Sequence, residues 1–156
     1  MKLDAEGRIS LEFARFDDMS AAELHDVLKL RFDVFVLEQE SLYPEIDGLD
    51  PEAVHGVASD GEGRTVATLR LLNLGGAGAV TIGRVAIAED ARGYGLGRRL
   101  MSATLGYLEA HAPRRSVRLG AQRQLEGFYA SLGFARTSDV YDDGGIPHVD
   151  MERPGR

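Results

Sequence analysis

The chain has 156 residues, 44% of them hydrophobic, with 25 acidic side chains against 18 lysines and arginines and a net charge of −7. That length and apolar content suit one domain with a real core, whereas a nucleic-acid binder needs a basic face that the acidic balance withholds. The sequence contains no cysteine, which excludes a disulfide framework, a thiolate zinc site and an acyl-cysteine intermediate.

The first residues, MKLDAEGRIS, lack the apolar core of a secretion signal. No apolar run reaches the ~18 residues of a membrane span, so no membrane partner is indicated and a cytoplasmic protein is the expectation. Arg8–Asp18 (RISLEFARFDD) reads as a strand through the alternation of Ile9, Leu11 and Phe13. Ser20 and Glu23 then form a capping box. It opens a helix with a predicted apolar face of Leu24, Leu28, Phe32, Phe35 and Val36 and a predicted end near Leu37. Glu38–Glu52 is an acidic loop broken by Pro44, Gly48 and Pro51. Ala53–Ser59 and Arg64–Asn73 read as strands joined by the turn DGEG, and LGGAGA connects to a further strand, Val80–Ile87. Arg31 interrupts the helix face and Arg70 the second of these strands; each is expected to satisfy a buried carboxylate.

The stretch ARGYGLGRRL, Ala91–Leu100, comes next. A helix is predicted over Leu100–His111, with Leu100, Met101, Thr104, Leu105 and Leu108 at helical spacing and Pro113 ending the run. Ser116–Gln122 is a short strand. Gln124–Phe134 is a short helix, with Leu125, Phe128 and Leu132 on one face and Gly133 in the C-cap position. Ala135–Asp143, the turn GG and Ile146–Glu152 finish as a hairpin. This order predicts an α/β protein with a mixed sheet.

A glycine-rich turn between strand and helix usually cradles phosphate. A P-loop needs Gly-Lys followed by Ser or Thr, and no Lys-Ser or Lys-Thr pair occurs. A Rossmann fingerprint needs a third glycine where Arg98 stands, and an acidic residue ending the next strand where Gln122 stands. What remains is Arg-x-x-Gly-x-Gly, formed by Arg92, Gly95 and Gly97.

That motif resembles the pyrophosphate loop of the GNAT family of acyl-CoA-dependent N-acetyltransferases. Backbone amides from about Gly93 to Arg98 can point at one anion. An anion there would also reverse the unfavourable placement of Arg98 and Arg99 in the first helical turn. In the family the strand before the loop is splayed by a bulge and pairs with the pantetheine arm; Val85, Ala86 and Ile87 occupy that place. FYASLGF, Phe128–Phe134, resembles the second family signature, whose tyrosine lies near the cofactor sulfur. LKLRFDVFVLEQESLYPEIDGLD and YDDGGIPHVDM are similar to the ElaA branch of GNAT proteins, although Ser41 and Leu42 stand where that branch carries Cys-Pro.

The resemblance implies a single GNAT domain over residues 1–156, with six to seven strands flanked by helices. Acetyl-CoA is the implied co-substrate, held by Val85, Ala86, Ile87, Arg92, Gly93, Tyr94, Gly95, Leu96, Gly97, Arg98, Gln122 and Phe128. No metal is implied. The implied partner is an amine acceptor, a small molecule or a peptide amine, and homodimerisation is left open. Direct attack of a neutral amine on the thioester needs an oxyanion donor, a base and a group that meets the leaving thiolate. Backbone N–H groups near Ala86 and Ile87 are the implied oxyanion donors, and Tyr129 is the candidate general acid. For the base, Glu45 in the acidic loop ranks before His148 in the final hairpin. Asp47 and Asp50 share that loop, and His55 is expected to be structural. If Arg31 and Arg70 face the pocket, the acceptor carries an anionic group as well as an amine. A module that binds acyl-CoA without transferring it is the alternative.

Overall fold

The alternation at Ile9, Leu11 and Phe13 produces a strand shorter than RISLEFARFDD: β1 is Ser10–Arg15, and Phe16–Asp18 turn as a 3-10 helix. The computed structural model describes residues 8–155. Residues 1–7, which bear on the expected absence of a secretion signal, lie outside them. The strands β2 (Val54–Ser59), β3 (Thr65–Leu72), β4 (Val80–Ile87) and β5 (Val117–Gln122) fall where expected. The C-terminal stretch gives β6 (Ala135–Arg136), β7 (Tyr141–Asp143) and β8 (Ile146–Arg153). The sheet therefore has eight strands rather than six or seven, because the first arm of the expected hairpin divides into β6 and β7. Gly144 and Gly145, at φ 61 and 88°, make the two-residue turn that joins β7 to β8, the conformation such hairpins require.

The order across the sheet is β1-β2-β3-β4-β5-β8-β6, with β7 also on β8. Every pairing is antiparallel except β4 with β5. That parallel ladder covers only Val80–Ile82 against Val117–Leu119, after which the two strands part.

Helix α1 (Ala21–Arg31) begins at the expected capping box, with Ser20 and Glu23 bonded reciprocally at 3.1 and 3.2 Å. It continues as a π-helix, Phe32–Glu38. The inward residues are Val27, Leu30, Arg31, Val34 and Phe35, while Phe32 is 48% exposed. The observed face is rotated from the predicted one because Arg31, which periodicity treats as an interruption, belongs to the inward side. The wider π turn then shifts the phase of the residues beyond it. Helix α2 (Leu96–His111) starts at Leu96 rather than Leu100, capped by Gly95, and α3 is Glu126–Ala130.

The two long helices cover opposite faces of the sheet. Tyr107 of α2 stacks on Phe13 at 4.4 Å, on the side where Gly56 meets Phe13 and Leu69. On the other side, Arg31 of α1 and Arg70 of β3 meet at Asp50. With both faces covered, β3 is buried from Val66 to Leu71.

Candidate active site

Where β4 leaves β5, its register against β3 slips between the pairs Arg70–Gly83 and Thr68–Ala86. Arg84 sits in this bulge at φ 53°, a left-handed conformation that a non-glycine residue adopts only when its surroundings hold it there. The bulge supplies the bend implied for this strand, and a cleft of about 680 Å³ opens beside it.

The glycine loop lies at the end of β4. Gly93 and Gly95 have φ of 86 and 76°, and a Cβ added to either would meet nothing within 4 Å. Gly95 caps α2 without a side-chain bond, so the first-turn amides look outward unpartnered by any cap. Shape and donors suit a pyrophosphate. Among the expected cofactor contacts, Val85, Ile87, Arg92, Gly97, Gln122 and Phe128 line the cleft. Ala86 and Leu96 are buried at 1% and 3% exposure, leaving their backbones as the groups on offer. Tyr94 is exposed. Arg98 lies over Phe128 at 5.4 Å and donates to Ser131 Oγ at 2.9 Å. Arg92 forks onto the Glu38 carboxylate at 2.7 and 2.8 Å and also donates to the Ile87 carbonyl. Its side chain thus fastens the loop to the π-helix and to β4. Gln122 makes a second tie, donating to Gln39 at 3.1 Å.

Tyr129 is packed edge-on to Phe128 and Phe134 at 5.1 and 6.0 Å and lines the cleft. Burial pushes its hydroxyl up to about 12, so it remains a donor at every working pH. His148 also lines the cleft. Its Nδ1 lies 2.8 Å from the Ile146 carbonyl, and a carbonyl only accepts. The proton therefore sits on Nδ1, leaving Nε2 with the free lone pair.

Glu45, the first-ranked base, is not in the cleft. Its carboxylate is held by Arg31 at 2.9 and 3.1 Å and by Arg84 at 3.1 Å, at 9% exposure. Its side chain is thus taken up in an ion-pair network beside the cleft, and of the two residues considered for the base only His148 lines the cleft. His55 is fully buried and donates from Nε2 to the Asp50 carbonyl at 3.0 Å. Burial pushes its pKa down, as befits a neutral structural histidine.

Arg31 and Arg70 satisfy buried carboxylates as expected. Arg31 holds Glu45 and Asp50, Arg70 holds Asp47 and Asp50, and Arg84 holds Glu45 and Asp47. Three guanidiniums and three carboxylates so tie the acidic loop to α1 and to the β3–β4 bulge. Hydrogen bonds from Arg70 hold the Asp47 carboxyl well below the usual carboxylate range. Burial acts to raise Asp50, but its bonds to Arg31 and Arg70 prevail and lower it. Arg84 has no local signal in the sequence, since a bulge residue looks like any other residue of its strand.

This network predicts an acid-labile fold. The Asp47 and Asp50 carboxyls titrate in the folded protein below the unfolded value of ~3.9. The unfolded chain therefore takes up protons first, and stability falls as pH drops through that region. Thermal scans should give a melting temperature that is level above about pH 5 and falls below about pH 4. Asp47→Asn should be less stable at neutral pH yet lose less on acidification.

A family model described as an acetyltransferase (GNAT) domain matches residues 17–154, and the chain belongs to the GNAT family, in its ElaA-like branch. The fold and family are those of acyl-CoA-dependent N-acyltransferases. The chain is 42% identical to a UPF0039 protein of Mycobacterium tuberculosis over 142 residues, 88% of each chain. The crystal structure of Escherichia coli ElaA matches at a TM-score of 0.87 and 37% identity, over 94% of this chain and 99% of that one. An acyl-CoA N-acyltransferase from Pseudomonas aeruginosa matches at 0.87 and 38% over the same shares. Among the described residues, no helix is long and apolar enough to cross a membrane, and no group of acidic or histidine side chains is placed to hold a metal.

Proposed function

We propose that the protein is an acetyl-CoA-dependent N-acetyltransferase that passes the acetyl group directly to an amine in a ternary complex. The observation that carries this is the convergence on one cleft of His148, Tyr129 and the bulged end of β4, with the glycine loop at its edge. His148 Nε2 accepts the amine proton as the N–C bond forms. Backbone N–H groups near Ala86 and Ile87 hold the developing oxyanion. As the C–S bond breaks, the Tyr129 hydroxyl donates to the sulfur. A chain without cysteine offers no thiol for a covalent intermediate, which favours direct attack.

The test is binding followed by turnover. Acetyl-CoA at 100 Kd should stabilise the fold by about 2.7 kcal/mol, about 5–10 °C for a chain of this size. Gly95→Val should abolish that shift, because a β-branched residue is strained at φ 76° and crowds the phosphate approach. A folded Gly95→Val protein with an undiminished shift would remove the loop from the assignment. Released CoA thiol, read against a panel of amines, then reports transfer. Acetyl-CoA binding with no turnover of any amine would leave a binding module instead of an enzyme.

A further inference from the structure

Among the described residues, two buried hydrogen-bond donors on side chains that line the cleft have no partner: Ser41 Oγ and Arg70 Nε. The residues are 6% and 4% exposed, and both line the cleft. Arg70 commits its terminal nitrogens to Asp47 at 2.6 and 2.9 Å and to Asp50 at 3.2 Å, which leaves Nε–H over. Opposite Arg70 in the ladder stands Gly83. Among the described residues, the one contact within 4 Å of a Cβ added there is Arg70 Nε, at 4.0 Å. The missing side chain leaves the space beside that nitrogen unfilled.

A buried unsatisfied donor costs about 1–3 kcal/mol, so two beside one cavity call for a ligand group. Guanidinium nitrogens donate and never accept, and a hydroxyl readily donates alongside them. The absent partner is therefore an oxygen, and arginine recognises carboxylate oxygens best. The neighbouring carboxylates of Glu45, Asp47 and Asp50 are already taken by the three arginines. We infer that Ser41 and Arg70 bind a carboxylate borne by the acceptor, so that the amines acylated here are amino acids or similar amine–carboxylate compounds. Asp143, an exposed carboxylate lining the same cleft, supplies the opposite charge for the incoming ammonium. A polyamine, which carries no oxygen, would leave both donors unpaired. The inference rests on the transfer activity proposed above.

The experiment compares an amino acid, its carboxamide and the corresponding amine without the carboxyl group, each with acetyl-CoA and the full chain. The acid should show the highest kcat/KM, by about tenfold or more, the worth of a charge-assisted hydrogen bond. Ser41→Ala and Gly83→Ala should each raise KM for the acid and erase its advantage over the carboxamide. Gly83 is not at positive φ and has room for a methyl group, so the second variant folds and acts only by obstruction. Equal rates for acid and carboxamide, or variants that slow all three acceptors alike, would overturn the subsite while leaving acyl transfer intact. If no amine is turned over, transfer itself fails, and the subsite is read by binding. An N-acetyl amino acid with CoA should then raise the melting temperature more than its carboxamide in wild type and not in Gly83→Ala. Equal shifts in wild type would overturn the inference.

Discussion

Single-turnover acetyl transfer should slow by about 10²–10⁴-fold in His148→Ala, the range a positioned general base supplies. The bond from Nδ1 to the Ile146 carbonyl fixes the ring with Nε2 as its basic atom, so the side chain is set to receive a proton without reorienting. The loss should appear in the chemical step, with acetyl-CoA affinity unchanged, because the interaction strengthens only as the amine begins to bond. Rapid-quench measurement separates it from product release. Tyr129→Phe should cost less, about tenfold. A thiolate whose acid has a pKa of ~8.5 cannot take and keep a proton from a hydroxyl pushed up to about 12, so under the proposed mechanism Tyr129 would steady the sulfur by a hydrogen bond more than by surrendering its proton. A His148→Ala protein with the wild-type single-turnover rate would assign amine deprotonation to solvent.

Arg31→Met should destabilise the fold by about 3–5 kcal/mol, the cost of stranding buried charges, or a melting temperature lower by about 6–20 °C. Arg31 is 1% exposed and carries Glu45 and Asp50 together, at 2.9 and 2.7 Å. Its removal strands carboxylates that water cannot easily reach. Adding Glu45→Gln should restore part of the loss by removing one uncompensated charge, and denaturant titration of single and double variants measures the coupling. A cost below about 1 kcal/mol would mean that the acidic loop is held by other contacts.

Local chemistry made the strands, the capping box, the Gly133 cap and the Gly144–Gly145 turn legible, because each depends on residues close in sequence. The glycine loop was legible too, since the spacing of Arg92, Gly95 and Gly97 excluded the other phosphate-binding turns. The phase of the first helix was not. Hydrophobic periodicity counts Arg31 as an error, whereas in the fold its charge is cancelled by Glu45 and Asp50, 14 and 19 residues away. The same cancellation explains why Glu45 resembles a base in the sequence. A carboxylate in a loop reads as solvated or reactive until the guanidiniums from α1 and β4 are seen to enclose it. Ser41 stood out only as a departure from Cys-Pro and Gly83 not at all, because their interest lies in an unmet donor and a missing side chain on separate elements.

The short ladder between β4 and β5, only Val80–Ile82 against Val117–Leu119, leaves two facing strand edges in the middle of the sheet. An unpaired edge is a template for any extended chain, and most proteins keep such edges at the rim, where charge or a bulge protects them. Here the edges face each other, and the Arg84 bulge and the Gln39–Gln122 tie guard the gap. A slender amide-bearing arm suits such a gap better than a peptide strand with side chains on both faces. Amide hydrogens on the β5 side of β4 should therefore exchange fast in the free protein and slow when acetyl-CoA enters, with the paired β3 edge scarcely changed. Ligand would then complete the sheet, and the empty protein would be the form exposed to aberrant strand addition in a crowded cell.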